Sequence, residues 1–186
     1  IEIGKSPKAI SQKDAIPYNY VYCSEAQALA KEMTPNSTYT SSLMFGIQYD
    51  LVFKFLEVKS TLTIEDINSN SSIWGNYDNV TRTITSNKAK QRGTPWTAIT
   101  GTKPAGAVLL TTGASEETKK MNIYDLAGNE LEWTLEHATS RGTVPCAHRG
   151  GNYREPSNTY PVSVRDDNNI KDNSNFIGFR QTFYKN

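Results

Sequence analysis

Asn122-Ile123-Tyr124-Asp125-Leu126-Ala127-Gly128-Asn129-Glu130-Leu131-Glu132-Trp133-Thr134 packs aromatic, glycine, amide and acidic residues into one short run. Its apolar positions 123, 126, 131 and 133 fit neither the helical period of 3.6 nor the strand period of 2. The run therefore reads as a structured turn feeding a short strand. Gly128-Asn129 supplies a tight bend, because both residue types tolerate positive φ. Asp125, Glu130 and Glu132, with backbone carbonyls around Gly128, offer the hard oxygen ligands that calcium takes, although the spacing is not that of an EF-hand loop. The alternative is a solvated acidic turn. Downstream, Arg149-Gly150-Gly151-Asn152-Tyr153 and Gly178-Phe179-Arg180 answer this run.

The chain has 186 residues, 37% hydrophobic and 10% aromatic, the composition of one ordinary globular domain that needs no disulfide to fold. A net charge of +1, from 20 basic and 19 acidic residues, gives no field that argues for nucleic acid or an anionic membrane. No apolar run approaches the roughly 20 residues of a membrane span, so no membrane insertion is expected. Ile1-Glu2-Ile3-Gly4-Lys5 has no signal-peptide core, and an initial Ile suggests a segment trimmed from a longer chain. Cys23 and Cys146 form no Cys-x-x-Cys pair; they either bridge or stand as small buried apolar residues.

In chain order, residues 1–16 read as a polar arm or linker before a domain spanning 17–186. Pro17–Tyr22 has the aromatic and β-branched content of a short strand. Ser24 followed by Gln27 forms a capping-box pattern, and Ala26, Leu29, Ala30 and Met33 predict a first helix over 24–33. Residues 34–42 read as a polar loop. Ile47, Leu51, Val52, Phe55 and Leu56 predict a second amphipathic helix over 46–57 with those residues on its inner face. Residues 60–106 carry Trp74-Gly75-Asn76 and little sustained period, which in a compact domain implies specific anchoring. Short strands are expected at 108–112, 146–149 and 177–184.

These motifs resemble the formylglycine-generating-enzyme type of sulfatase-modifying domain, a branch of the C-type-lectin fold. The resemblance rests on Tyr124 to Asn129 followed by Glu132-Trp133-Thr134, then Arg149-Gly150-Gly151, then Gly178-Phe179-Arg180, with Trp74-Gly75-Asn76 in register. It implies an α+β fold: two helices packed on a twisted, mostly antiparallel sheet with long irregular loops. It also implies a structural calcium site on Asp125 and Glu132, with the carbonyls of Gly128 and Glu130. Enzymes of that family bind copper through two cysteines a few residues after the Arg-Gly-Gly. Those positions hold Glu155 and Tyr160 here, which cannot replace thiolates, so no copper and no oxidase chemistry are expected. With only His137 and His148, a three-histidine iron site cannot be built either.

A non-catalytic binding domain is the leading expectation. Residues 152–175 are rich in tyrosine, asparagine and acids, a mixture suited to adaptable recognition. The tract resembles the variable segment of proteins diversified by retroelements, often displayed on phage tails or bacterial surfaces. Asn152, Tyr153, Glu155, Asn158, Tyr160, Asp166, Asn168, Asn173 and Asn175 are then the expected ligand contacts. The partner would be a cell-surface protein or glycan, or neighbouring subunits of an assembly. The alternative is a metal-dependent oxidoreductase of the formylglycine-generating type.

Overall fold

The structure, a computed structural model, describes residues 8–33, 36–138 and 145–186. Its elements run α1 (Cys23–Glu32), β1 (Tyr39–Leu43), α2 (Gly46–Lys59), α3 (Ile64–Asn68), β2 (Arg82–Ile84), β3 (Lys90–Gln91), β4 (Thr97–Ala98) and β5 (Gly101–Lys103). A 3-10 turn (Glu116–Thr118) then leads to β6 (Lys119–Lys120), β7 (Ile123–Tyr124), β8 (Leu131–His137), β9 (Cys146–Arg149), β10 (Arg165–Asn168), β11 (Ile177–Phe179) and β12 (Gln181–Lys185). Among the described residues the fold is α+β, with a four-stranded sheet in the order β10-β9-β8-β11 and four two-stranded ribbons: β1-β12, β2-β5, β3-β4 and β6-β7. Pairing is antiparallel throughout except where β11 runs parallel to β8.

β8 is the central strand because its first four residues are buried on both faces. Trp133 is fully buried, and its indole N–H donates to the Val21 carbonyl at 2.9 Å, which satisfies the polar end of a large apolar ring. That bond, with Tyr20 N–H to the Ser174 carbonyl at 3.0 Å, fixes the segment before α1. The strand expected over Pro17–Tyr22 is absent: Tyr20 takes a left-handed conformation (φ 54°) that breaks any ladder, and the segment is held by single hydrogen bonds instead. Of the polar arm, residues 8–16 lie against the body, with Asp14 N–H on the Thr112 carbonyl at 2.8 Å and Lys13 paired to Glu116 at 3.3 Å. Residues 1–7 lie outside the described residues.

α1 begins one residue before the expected position, with Tyr22 as its cap. The Glu25 carboxylate, not Gln27, reaches back to the cap and accepts the Tyr22 N–H at 3.1 Å. α2 forms where expected but presents a different face. Tyr49, Phe53 and Leu56 are buried, whereas Ile47, Leu51, Phe55 and Val58 are exposed. The helix is apolar on two sides, and the stripe with the larger aromatic surface and a hydroxyl aimed at Glu132 turns inward. A third helix, α3, is added to the expected two. Thr63 caps it, its hydroxyl accepting the Asp66 N–H at 3.2 Å.

Residues 34–42, expected as loop, contain the start of β1. Its partner β12 lies at the far end of the chain, so no local pattern betrays it. In 108–112 only Leu110 bridges a strand, to Gln91. The irregular 60–106 segment is anchored by basic side chains that donate to carbonyls. Arg82 Nε meets the Gly75 carbonyl at 2.9 Å, and fully buried Lys103 meets those of Tyr77 and Val80 at 2.6 and 2.9 Å. Burial, and then the nearby Arg82 charge, push the Lys103 amine down to about 8.

Candidate functional site

The sequence motifs meet at one place. Asn76 N–H donates to the Ala127 carbonyl at 3.1 Å, Asn129 N–H to the Asn76 carbonyl at 2.8 Å, and Gly128 N–H to the Gly150 carbonyl at 2.7 Å. Asn76 Nδ2 also donates to Asn129 Oδ1 at 2.8 Å. Gly128 (φ +69°) and Asn129 (φ +60°) make the expected left-handed bend, and a Cβ on Gly128 would run into the Asn76 backbone. Gly151 (φ +71°) passes equally close to the Tyr160 carbonyl and the Tyr77 ring. Trp-Gly-Asn, Ala-Gly-Asn and Arg-Gly-Gly are thus three backbones in contact, and small residues let them approach.

Above this knot the acids expected on calcium take other partners. Arg180 donates from Nε and Nη2 to Glu132 Oε1 at 3.0 and 2.7 Å, and from Nε to Oε2 at 3.1 Å, while the Tyr49 hydroxyl donates to Oε2. Asp125 Oδ2 accepts the Gly113 N–H at 2.6 Å and its Oδ1 accepts the Thr118 hydroxyl at 2.7 Å. Arg180 also donates to the backbone carbonyls of Tyr124 and Asp125, at 3.0 and 3.3 Å. Glu130 Oε1 accepts from Asn19 Nδ2 at 2.6 Å. A guanidinium sits among these oxygens, and each of the three carboxylates accepts from at least one protein donor. Among the described residues no group of three His, Cys, Asp or Glu side chains stands ready to hold a metal.

Burial raises all three carboxyls above their ordinary range. For Asp125 the Gly113 N–H opposes the rise most, for Glu132 the Arg180 charge, and for Glu130 the Asn19 amide; Glu130 still reaches about 8. The Arg180 guanidinium, desolvated but facing Glu132, keeps its charge with a raised value, so the pair stands as an ion pair. A cavity of about 830 Å³ lies beside Glu130, Glu132 and Arg180, walled by Tyr18 and Phe179.

The ligand contacts expected from sequence divide by burial. Asn152 and Tyr153 are each only 4% exposed, so they are framework and not contact residues. Asn152 Oδ1 caps the turn by accepting the Arg154 N–H at 2.8 Å. The Tyr153 hydroxyl accepts from Arg92 at 3.2 Å. The same guanidinium donates to the Tyr20 hydroxyl at 3.1 Å and to the Asn175 amide oxygen, turned toward it, at 3.0 Å. Arg92 carries no sequence signal, and Tyr20 is expected from sequence only as part of a strand over Pro17–Tyr22 that does not form.

The rest of the tract is pinned at intervals and otherwise faces outward. Ser157 is buried and bonded to Asn79 and Asn70, at 3.0 and 2.8 Å, and Val162 N–H donates to Ser71 at 2.9 Å. Asn158 and Asn173 are exposed, and Glu155, Tyr160, Asp166, Asn168 and Asn175 are half-buried. The Tyr160 phenol is raised by burial first and then by the charges of Asp166 and Glu155. Asp166 and Asn168 stand on β10, an edge strand, opposite His148 and Cys146. His148 is buried, meets Trp133 edge-on at 5.5 Å, and is pushed down to about 4 by that burial. It is a neutral packing residue. His137 ends β8 exposed.

No family model and no curated protein matches the chain. Among solved structures, the crystal structure of CarF is similar at 14% identity and a TM-score of 0.48, over 82% of this chain and 49% of that one. The chain thus spans about half the length of CarF. Among the described residues no helix is long and apolar enough to cross a membrane.

Proposed function

We propose that this chain is a non-catalytic ligand- or receptor-binding domain built on a formylglycine-generating type of C-type-lectin scaffold. The observation that carries the reading is a tract whose Asn158 and Asn173 are exposed and whose Glu155, Tyr160 and Asp166 are partly exposed, while Ser157 and Val162 are buried and hydrogen-bonded to the body. Glu155 and Tyr160 stand at the positions where the resembled enzymes place their copper-binding thiols. A partly exposed phenol such as that of Tyr160 offers a flat amphipathic contact with little entropy to lose. Asn158 and Asn173 extend it with exposed amides. The pins at Ser157 and Val162 hold such a surface still before a partner arrives, which lowers the ordering cost of binding. The partner class is a cell-surface protein or glycan, met from a virion tail or a bacterial surface.

The test is binding of the labelled chain to a glycan array and to a panel of intact bacterial cells. The Asn158→Ala, Tyr160→Ala, Asn173→Ala triple variant should lose binding while its Tm stays within a degree or two of the parent. Unaltered binding would overturn the reading. So would copper or iron retained stoichiometrically after purification together with oxygen uptake on a cysteine peptide, which would favour the oxidoreductase alternative.

A further inference from the structure

Cys23 opens α1 and Cys146 opens β9, 123 positions apart by the difference of their numbers, yet both pack against one core cluster, with Cys146 near enough to help raise the Cys23 thiol. Independent contacts place them together. Cys23 Sγ stands 3.9 Å from the Thr134 carbonyl oxygen, and the Thr134 hydroxyl donates to the carbonyl of Ala147, the residue after Cys146, at 2.9 Å. Both side chains pack against the cluster of Val21, Ala26, Leu131 and Trp133. Both are half-buried, so solvent reaches the pair.

We infer that Cys23 and Cys146 are a latent dithiol that a small-molecule disulfide converts into an internal disulfide, stapling the first turn of α1 to the start of β9. The steps balance. One cysteine thiolate attacks a sulfur of the disulfide RSSR, the S–S bond breaks, and RS⁻ leaves and takes up a proton. The second thiol then loses its proton to solvent and attacks the cysteine sulfur of the mixed disulfide, releasing a second RSH. Two cysteine sulfurs are oxidised, and RSSR is reduced to two thiols. Burial and then the neighbouring Cys146 push the Cys23 thiol up to about 12, so closure quickens as pH rises. The pair therefore stays reduced in a thiol-rich compartment and closes in an oxidising one. β9 leads into Arg149-Gly150-Gly151, so the staple also fixes the base of the recognition tract. The inference stands whether or not that tract binds a ligand.

The experiment treats the folded chain with oxidised glutathione, then follows free thiols by maleimide labelling and intact mass, with peptide mapping under non-reducing conditions. Expected are a monomer with no free thiol, one cross-linked peptide holding Cys23 and Cys146, faster closure at alkaline pH, and a Tm higher by about 5–10 °C that dithiothreitol reverses. Cys23→Ser and Cys146→Ser should each abolish the rise. Glutathione adducts without an internal bridge, disulfide-linked dimers, or thiols that stay free in the fold while the urea-unfolded chain reacts fully would each overturn it.

Discussion

Arg180 grips Glu132 side-on, its Nε 3.0 and 3.1 Å from the two carboxylate oxygens and its Nη2 2.7 Å from Oε1. The pair joins β8 to the residue between β11 and β12, so the carboxylate that resembles a metal ligand is the counter-charge of the third motif. Arg180→Ala leaves Glu132 buried without that partner and should cost about 2–4 kcal/mol. Arg180→Lys restores charge without the fork and should recover only part of it. Urea unfolding checks both. A chelator should leave the Tm unchanged, whereas Asp125→Ala, which frees the Gly113 N–H and the Thr118 hydroxyl, should cost about 1–3 kcal/mol. A Tm that falls with chelator would return calcium to these acids.

Stability should stay nearly level between about pH 4.5 and 6.5 and fall above that range, because two buried groups titrate in opposite senses. The folded His148 value of about 4 lies below its ordinary 6.5, so between these pH values the unfolded chain binds more protons and stability rises with pH. The folded Glu130 value of about 8 lies above its ordinary 4.5, so its contribution is full below 4.5 and is lost as pH rises toward 8. The two oppose each other up to 6.5, and beyond it Glu130 alone acts, at no more than about 1.4 kcal/mol per pH unit. Urea midpoints across this range should show the descent, and Glu130→Gln should flatten it. A descent that persists in Glu130→Gln would assign it to another group.

Within the polar tract, burial separates the effects of substitution. Tyr153→Ala removes a ring that is 4% exposed and should cost about 3–5 kcal/mol. Asn158→Ala and Asn173→Ala, both exposed, should each stay within about 0.5 kcal/mol. Thermal melts that rank these three the other way would show that the tract packs differently.

What the sequence made legible was local. The bend at Gly128-Asn129, both long helices and the strands at 146–149 and 177–184 follow from residue type and spacing, and they are present. What it hid was pairing at a distance. β1 needs β12, and Tyr20 and Arg92 need Tyr153, none of which a period reveals. α2 carries apolar residues on two sides, so its pattern could not choose between Leu51 and Phe53 for the core. Acids at Asp125 and Glu132 look alike whether they await an ion or an arginine, and only the position of Arg180 decides between them. The aromatic tract suggested contact residues, but Asn152 and Tyr153 sit directly after the close-packed Gly151 and are drawn inside with it.

The one parallel pairing has a consequence for how the molecule is made. β8 receives β11 on one side, and β1 receives β12, so both wait for residues 177–185. During translation residues 177–179 must emerge from the ribosome before the central strand gains its second neighbour. A nascent chain stalled or clipped ahead of residue 177 would expose the Leu131 and Trp133 edge, the kind of surface that invites aggregation or capture by a chaperone.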